Sequence, residues 1–421
     1  MRTFRLPPGP FRAEPAVPGD KSLSHRALLL AGMASGVSRV ANLGPGEDVA
    51  ATARALRALG VELGEGVVRS PGVKGWMPPA GPIHAGNSAT TMRLLAGALA
   101  ARPFSTTIVG DASLMARPME RLVGPLGALR AEVHVGPEGR PPVTVGLAVL
   151  RGATVDVPVP SAQVRSAVAL AALQAEGPTF IGSPPGFRDH TERWLEAMGL
   201  GRRQGDARFA VFPGPVPPAV YDLPGDLSSA AYLLAAAALR PGAEATVRRV
   251  TLNPGRTGFL DILEAMGATV SRAATGLIHG DPVGDVTVTG AGLRGIRIDG
   301  ILAARALDEL LLVAVLGASA AGATEVTGAA ELRAKESDRV AAAVRLVRSL
   351  GGAAEERPDG FVVTGGGRLQ GGAVEAGGDH RTAMAAAVAA VAAQAEVNVG
   401  GYGAVAASWP CFAEALEGLW S

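Results

Sequence analysis

One phrase recurs along this chain: an amphipathic helical run, a closing glycine, then a strand-like segment. It reads RALRALGVEL, GPLGALRAEVHV, RWLEAMGLG, DILEAMGATV, RLVRSLGGAAEE and EALEGLW, closed by Gly60, Gly127, Gly199, Gly267, Gly351 and Gly418. The steps run from 67 residues (Gly60 to Gly127) to 84 (Gly267 to Gly351). Glycine is the expected stop there, because it accepts left-handed backbone without a steric penalty. A sustained period of this size marks repeated supersecondary units. The chain therefore reads as six copies of one α/β unit of roughly 70 residues.

A second phrase alternates with the first. Six Ala/Leu-rich helices open near Ser22, Ser88, Ser161, Ser228, Asp308 and Asp379. Ser and Asp at these places read as N-caps. The helices are apolar nearly all round, which predicts burial. Period-2 runs at Thr106–Val109, Pro142–Val145, Asp285–Thr289 and Phe361–Thr364 predict strands between them. The halves also match. Val17-Pro18-Gly19-Asp20 precedes KSLSHRALLLA, and Leu223-Pro224-Gly225-Asp226 precedes LSSAAYLLAAAAL. The expectation is two domains of three repeats: residues 19–224, and residues 1–18 with 225–421, hinged at 18–20 and 224–226. The first strand, around Thr3–Ala13, goes with the second domain. If the buried helices aim their N-termini at a cleft, their dipoles favour anions there.

Composition narrows the function. A net charge of +1 and a pI near 8.0 are too balanced for a nucleic-acid footprint. A single cysteine, Cys411, excludes an intrachain disulfide framework. The opening MRTFRLPPGPF lacks the apolar core of a signal peptide. The longest apolar stretches, Leu310–Thr324 and Thr382–Ala395, fall short of the ~20 residues a membrane span needs. A cytoplasmic protein without nucleic-acid or membrane partners is expected.

The residues that could carry chemistry gather at the starts of the apolar helices. Lys21, Ser22 and Arg26 fall within two turns of the first, a possible seat for phosphate or carboxylate. Asn87, Ser88 and Thr90 open the second, with Arg93 among apolar residues and in need of a partner. Arg117 precedes Pro118 in an extended stretch and suits a bidentate grip on an anion. Ser161 and Gln163 open the third; a glutamine amide can donate to one ligand and accept from another. RDH adds Arg188 as a ligand, with His190 read as structural. Asp308 and Glu309 precede the fifth helix, where the dipole keeps an acid ionised and fit to act as a base. Lys335, Glu336 and Arg339 follow, and Arg381 opens the sixth. Each group alone also reads as a cap or a solvated charge. Their common position at repeat-equivalent helix starts raises the functional reading.

The segments PGDKSLSHRALLL, GNSATTMRLLAG, GDASLMARPMERL, SAQVRSAV, RDHTERWLEAMG, ELRAKESDR and DHRTAM together resemble the 5-enolpyruvylshikimate-3-phosphate synthase family, in its order and across nearly the whole chain. The resemblance implies the enolpyruvyl transferase fold: α/β, two domains, each of three βαβαββ repeats around buried parallel helices. It implies transfer of the enolpyruvyl group of phosphoenolpyruvate to shikimate 3-phosphate, without metal or organic cofactor, by a monomer. On that basis Lys21, Ser22, Arg26, Ser161, Ala162, Gln163, Arg188, Asp308 and Lys335 would hold shikimate 3-phosphate. Lys21, Ala89, Arg117, Gln163, Arg339 and Arg381 would hold phosphoenolpyruvate. Asp308, Glu336 and Lys21 would be catalytic, and domain closure would complete the site.

Two departures stand out. Ala89 replaces a glycine common in the family, which with RDHTE places the chain nearer the glyphosate-tolerant class II branch. Ala407 stands where many members carry a lysine, so one phosphoenolpyruvate contact is missing or supplied elsewhere. The nearest rival is enolpyruvyl transfer to UDP-N-acetylglucosamine, whose family has Lys-Asn where this chain has Lys21-Ser22. A formal G-x-G-x-x-G at Gly290–Gly295 is followed by the strand-like Ile296-Arg297-Ile298, which predicts a turn and not a dinucleotide site.

Overall fold

The computed structural model describes residues 1–157, 161–182, 187–205 and 208–421. The chain divides into two compact units. The first is Gly19–Leu223 with Leu277–Asp281; the second is Met1–Pro18, Pro224–Gly276 and Pro282–Ser421.

Six helices form the cores: α1 Lys21–Met33, α2 Ala89–Leu99 and α3 Ala162–Ala172 in the first unit, α4 Leu227–Ala238, α5 Leu310–Ser319 and α6 His380–Ala393 in the second. All twelve residues of α4 are buried, and all but the last of α5. Removing that much apolar surface from water is what stabilises helices with no polar face. In the first unit α2 and α3 pack backbone to backbone: a Cβ added at Gly97 would lie 2.0 Å from the Ala167 carbonyl oxygen.

Each helix is served by its own small sheet. In the first unit, Ser35–Ala41 runs parallel to Val220–Asp222 on one side and antiparallel to Val67–Pro71 on the other, with Glu62–Gly64 beyond. The sheets on Thr106–Val109 and Thr179–Gly182 repeat this pattern of one parallel and two antiparallel pairings. In the second unit Ala323–Val326 has the same neighbours in kind. Glu244–Thr251 pairs parallel with Arg12–Ala13 and antiparallel with Asp281–Thr289, which lies beside Thr269–Ile278. The sixth sheet has three strands, Arg2–Phe4, Val397–Gly400 and Gly372–Glu375. The opening residues thus serve two sheets of the second unit. Among the described residues no helix is long and apolar enough to cross a membrane.

Several local expectations need correction. Gly60, Gly199, Gly267 and Gly351 take positive φ as expected. Gly127 instead stays inside Val123–Gly127, and the left-handed turn falls to Arg130. Gly418 follows Phe412–Glu417 at a φ of −67°, entering a short 3-10 turn. Ser22 and Ser228 are not caps. Asp20 and Asp226, the acids of the two Pro-Gly-Asp triplets, accept from Leu23 N and Ser228 N. Asp is the stronger anchor there because its charge also meets the helix dipole. The Gly290–Gly295 segment leads into the strand Arg297–Ile298 and not into a helix.

Candidate functional site

In the first unit, α1 presents Lys21, Ser22 and Arg26. The Lys21 ammonium lies 3.0 Å from Asp48. Arg26 is 4% exposed, and each nitrogen of its guanidinium makes one orienting bond. Its Nε donates to Thr191 Oγ1 at 2.8 Å, one terminal nitrogen to Ser166 Oγ at 2.8 Å and the other to the Ser22 carbonyl at 2.9 Å. Burial pushes its pKa down to about 10, against the opposing pull of Glu192 and Asp281. It therefore remains a cation at neutral pH. Arg188 is close enough for its own charge to oppose that of Arg26. His25, next in sequence, is held well below the usual imidazole range by burial and by Lys21 and Arg26, so it is neutral. Its Nδ1 meets Thr52 Oγ1 at 2.7 Å, and Thr52 meets Thr91 Oγ1 at 2.7 Å. Thr91 in turn donates to Ser88 Oγ, the cap of α2, at 2.9 Å.

Ala89 is the first residue of α2 and buried. Arg93, one turn on, donates to Gln163 Oε1 at 2.5 Å and to the Pro118 carbonyl at 3.1 Å. Gln163 Nε2 donates to Thr90 Oγ1 at 2.8 Å. Gln163 thus bridges Arg93 and Thr90. Arg117 donates to Asn87 Oδ1 and, at 3.3 Å, to Ser113 Oγ. Ser161 caps α3 through Val164 N, and Ala162 is its first residue. Lys21, Arg26, Arg93, Arg117 and Gln163 all belong to this unit.

The helix His190–Ala197 is fixed by residues that sequence reasoning missed. Asp281 is fully buried, with Trp194 Nε1 donating to it at 2.9 Å and His190 Nδ1 at 3.0 Å. Arg165 and Glu192 form an ion pair at 2.6 Å with both side chains 3% exposed. The Arg165 guanidinium also lies 4.1 Å from the centre of the Phe187 ring, beside Arg188. Glu192 carried no distinct signal, because His190, Thr191, Arg193 and Glu196 make the rest of its helix polar as well. Asp281 carried none, because its partners are about ninety residues away in sequence.

In the second unit, Asp308 was expected to cap α5, but Glu309 occupies that position and makes no cap bond. The carboxylate of Asp308 is instead ringed by cations: Arg339 at 3.3 Å, Lys335 at 3.6 Å and Arg381 at 3.8 Å. Lys335 and Arg339 do not share a helix. Lys335 is extended, and Arg339 begins the helix Arg339–Ser349 after its cap Asp338. That extension frees Glu336 to meet Arg339 at 2.5 Å. Arg339 also binds Asp379, the α6 cap, at 2.8 Å. Burial lowers the Arg339 pKa, but Asp379 and Glu336 outweigh it and hold the guanidinium above its ordinary value. Burial likewise opposes and Asp308 restores the charge of Arg381, which ends well above its usual value. Behind Asp308, Glu309 accepts from Ser228 Oγ at 2.5 Å, and Ser228 accepts from Arg256 at 2.6 Å. Four carboxylates, Asp308, Glu309, Glu336 and Asp379, thus interleave with three cations, Lys335, Arg339 and Arg381. Such a cluster can hold an anion, keep one acid ionised and leave another to move a proton.

Comparisons with known proteins agree on one family. The model of EPSP synthase (3-phosphoshikimate 1-carboxyvinyltransferase) matches residues 7–416. A 3-phosphoshikimate 1-carboxyvinyltransferase of Herpetosiphon aurantiacus is 43% identical over 411 residues, 96% of this chain and 95% of that protein. One from Acidithiobacillus ferrooxidans is 44% identical over 402 residues, 94% of this chain and 92% of the relative. Among solved structures, EPSP synthase from Acinetobacter baumannii superposes with a TM-score of 0.86 at 36% identity, covering 99% of this chain and 98% of that one. The enolpyruvyl transferase NikO from Streptomyces tendae, 18% identical with a TM-score of 0.78 over 99% of this chain and 96% of its own, shares the fold. The chain belongs to the EPSP synthase family.

Proposed function

We propose that this protein transfers the enolpyruvyl group of phosphoenolpyruvate to the 5-hydroxyl of shikimate 3-phosphate, releasing phosphate, in the shikimate pathway to aromatic amino acids. One observation carries the reading: the family match spans residues 7–416 and so includes every residue assigned a role. The names of the curated relatives favour a shikimate acceptor over UDP-N-acetylglucosamine.

Each substrate carries a carboxylate and a phosphate monoester of roughly −1.5 to −2 charge. Cation-rich seats suit both. In the first unit, Lys21, Ser22, Arg26, Ser161, Ala162, Gln163 and Arg188 are assigned to shikimate 3-phosphate. Lys21, Ala89, Arg117 and Gln163 are assigned to phosphoenolpyruvate. In the second unit, Asp308 and Lys335 take the former substrate, and Arg339 and Arg381 the latter. Ala89 and the RDHTE segment favour the glyphosate-tolerant branch.

The chemistry is addition, then elimination. The 5-hydroxyl oxygen bonds to C2 of phosphoenolpyruvate, loses its proton, and C3 gains one. The tetrahedral adduct then loses a C3 proton as its bond to phosphate breaks. Asp308, within 3.8 Å of Arg339, Lys335 and Arg381, is assigned as base at the 5-hydroxyl. Glu336 is assigned to the proton at C3. The fixed cations stabilise the departing phosphate without reorganising.

Phosphate release on mixing the protein with both substrates tests the reading. Release should need both, and Asp308→Asn and Glu336→Gln should slow it by roughly 100- to 10,000-fold. Release with UDP-N-acetylglucosamine in place of shikimate 3-phosphate would overturn it.

A further inference from the structure

We infer that Arg93 is a positioning residue for phosphoenolpyruvate, aligning two of its ligands from one guanidinium; this rests on the functional reading above. One terminal nitrogen donates to Gln163 Oε1 at 2.5 Å and the other to the Pro118 carbonyl at 3.1 Å. The first bond points the amide oxygen of Gln163 at the guanidinium. The amide nitrogen then faces Thr90 Oγ1, 2.8 Å away in the first turn of α2. The second bond fixes the backbone immediately after Arg117, whose head group is held separately by Asn87 and Ser113.

The helices set this geometry. Arg93 lies four residues before Gly97 on α2, and Gln163 four before Ala167 on α3. Residues four apart share a helix face. The Arg93–Gln163 pair therefore sits one turn from the close approach of Gly97 to Ala167, where no Cβ would fit. That contact fixes the helix separation and so the span that the arginine bridges. The guanidinium presents two separate nitrogens in a fixed plane to the two acceptors, whereas a lysine offers its three donors from one nitrogen and matches that spacing less well.

The test is steady-state phosphate release with each substrate varied in turn. Wild type active with both substrates secures the functional reading; wild type inactive with both overturns that reading, independently of the variants. Arg93→Met should raise KM for phosphoenolpyruvate by roughly 10- to 100-fold, the range for losing a charge-assisted bond. KM for shikimate 3-phosphate, which shares Gln163 but is also assigned Ser22, Arg26 and Arg188, should rise less. Arg93→Lys should recover part of the loss. Gln163→Ala should cost much in the wild-type background and little in the Arg93→Met background, because the two act as one unit. Equal rises in both KM values, or additive effects of the two substitutions, would overturn the proposal. If Arg93→Met does not fold, Arg93→Lys and Arg93→Gln carry the same comparison.

Discussion

Arg339 donates from Nε to Asp379 Oδ2 at 2.8 Å, with the two side chains 1% and 0% exposed. Burial raises the Asp379 pKa, yet Arg339 outweighs it and holds the carboxyl below its usual range. A carboxylate depressed in the folded state contributes stability that is present above its unfolded pKa, ~3.9, and lost as pH falls through the folded value. Asp379→Asn removes one of three carboxylates around the buried Arg339, leaving Glu336 and Asp308, and should cost roughly 1–3 kcal/mol of stability at neutral pH. Denaturant titrations across pH would check it: the variant should show a flatter acid limb than wild type.

His25 gives a second acid dependence in a different window. Its pKa is depressed by burial, Lys21 and Arg26, so the folded state holds it neutral while the unfolded chain protonates near ~6.5. Between those values the unfolded state binds the extra proton, so stability rises with pH there and falls as pH drops below ~6.5. Replacing His25 with Gln should flatten that part of the profile and leave the Asp379 window in place. Melting temperatures from pH 5 to 8 would read it.

Glu192 pairs with Arg165 at 2.6 Å and also pulls on the charge of Arg26. Glu192→Gln leaves a buried guanidinium without its counter-charge, at a cost of roughly 3–5 kcal/mol. The neighbouring Thr191 hydroxyl holds Arg26 Nε, so the loss should extend to shikimate 3-phosphate. KM for that substrate should rise more than KM for phosphoenolpyruvate, as kinetics with each varied would show.

Ala89 is buried at the first position of α2, so its methyl group narrows the space at that helix start. Ala89→Gly should make the enzyme more sensitive to glyphosate, which is longer than phosphoenolpyruvate, while KM for phosphoenolpyruvate changes little. The glycine should also lower stability by about 0.5–1 kcal/mol. Inhibition curves on both proteins decide it, and unchanged sensitivity would dismiss the steric account.

The repeat pattern was legible because it rests on local rules. The run Thr106–Val109 is a strand with those bounds, and four of the six glycines close their helices left-handed. Errors came where two local rules compete. At Pro-Gly-Asp-Lys-Ser both Asp20 and Ser22 can cap, and the charged acid does so. At Asp308-Glu309 the helix takes Glu309 as its boundary, because Asp308 has three cations to satisfy. The bracing of the site was least legible. Arg93 was visibly in need of a partner, but Gln163 lies on another repeat. Asp281 reaches His190 only through the tertiary fold.

The strand Arg2–Phe4 finds its partner at Val397–Gly400. A ribosome extends a chain by about 5–20 residues per second, so that strand emerges roughly 20–80 s before the segment it must pair with. The Gly19–Leu223 unit has nearly all its chain long before then, needing only Leu277–Asp281 to complete it. Synthesis therefore imposes an order: the unit encoded in the middle can assemble first, while the opening residues wait for almost the last ones.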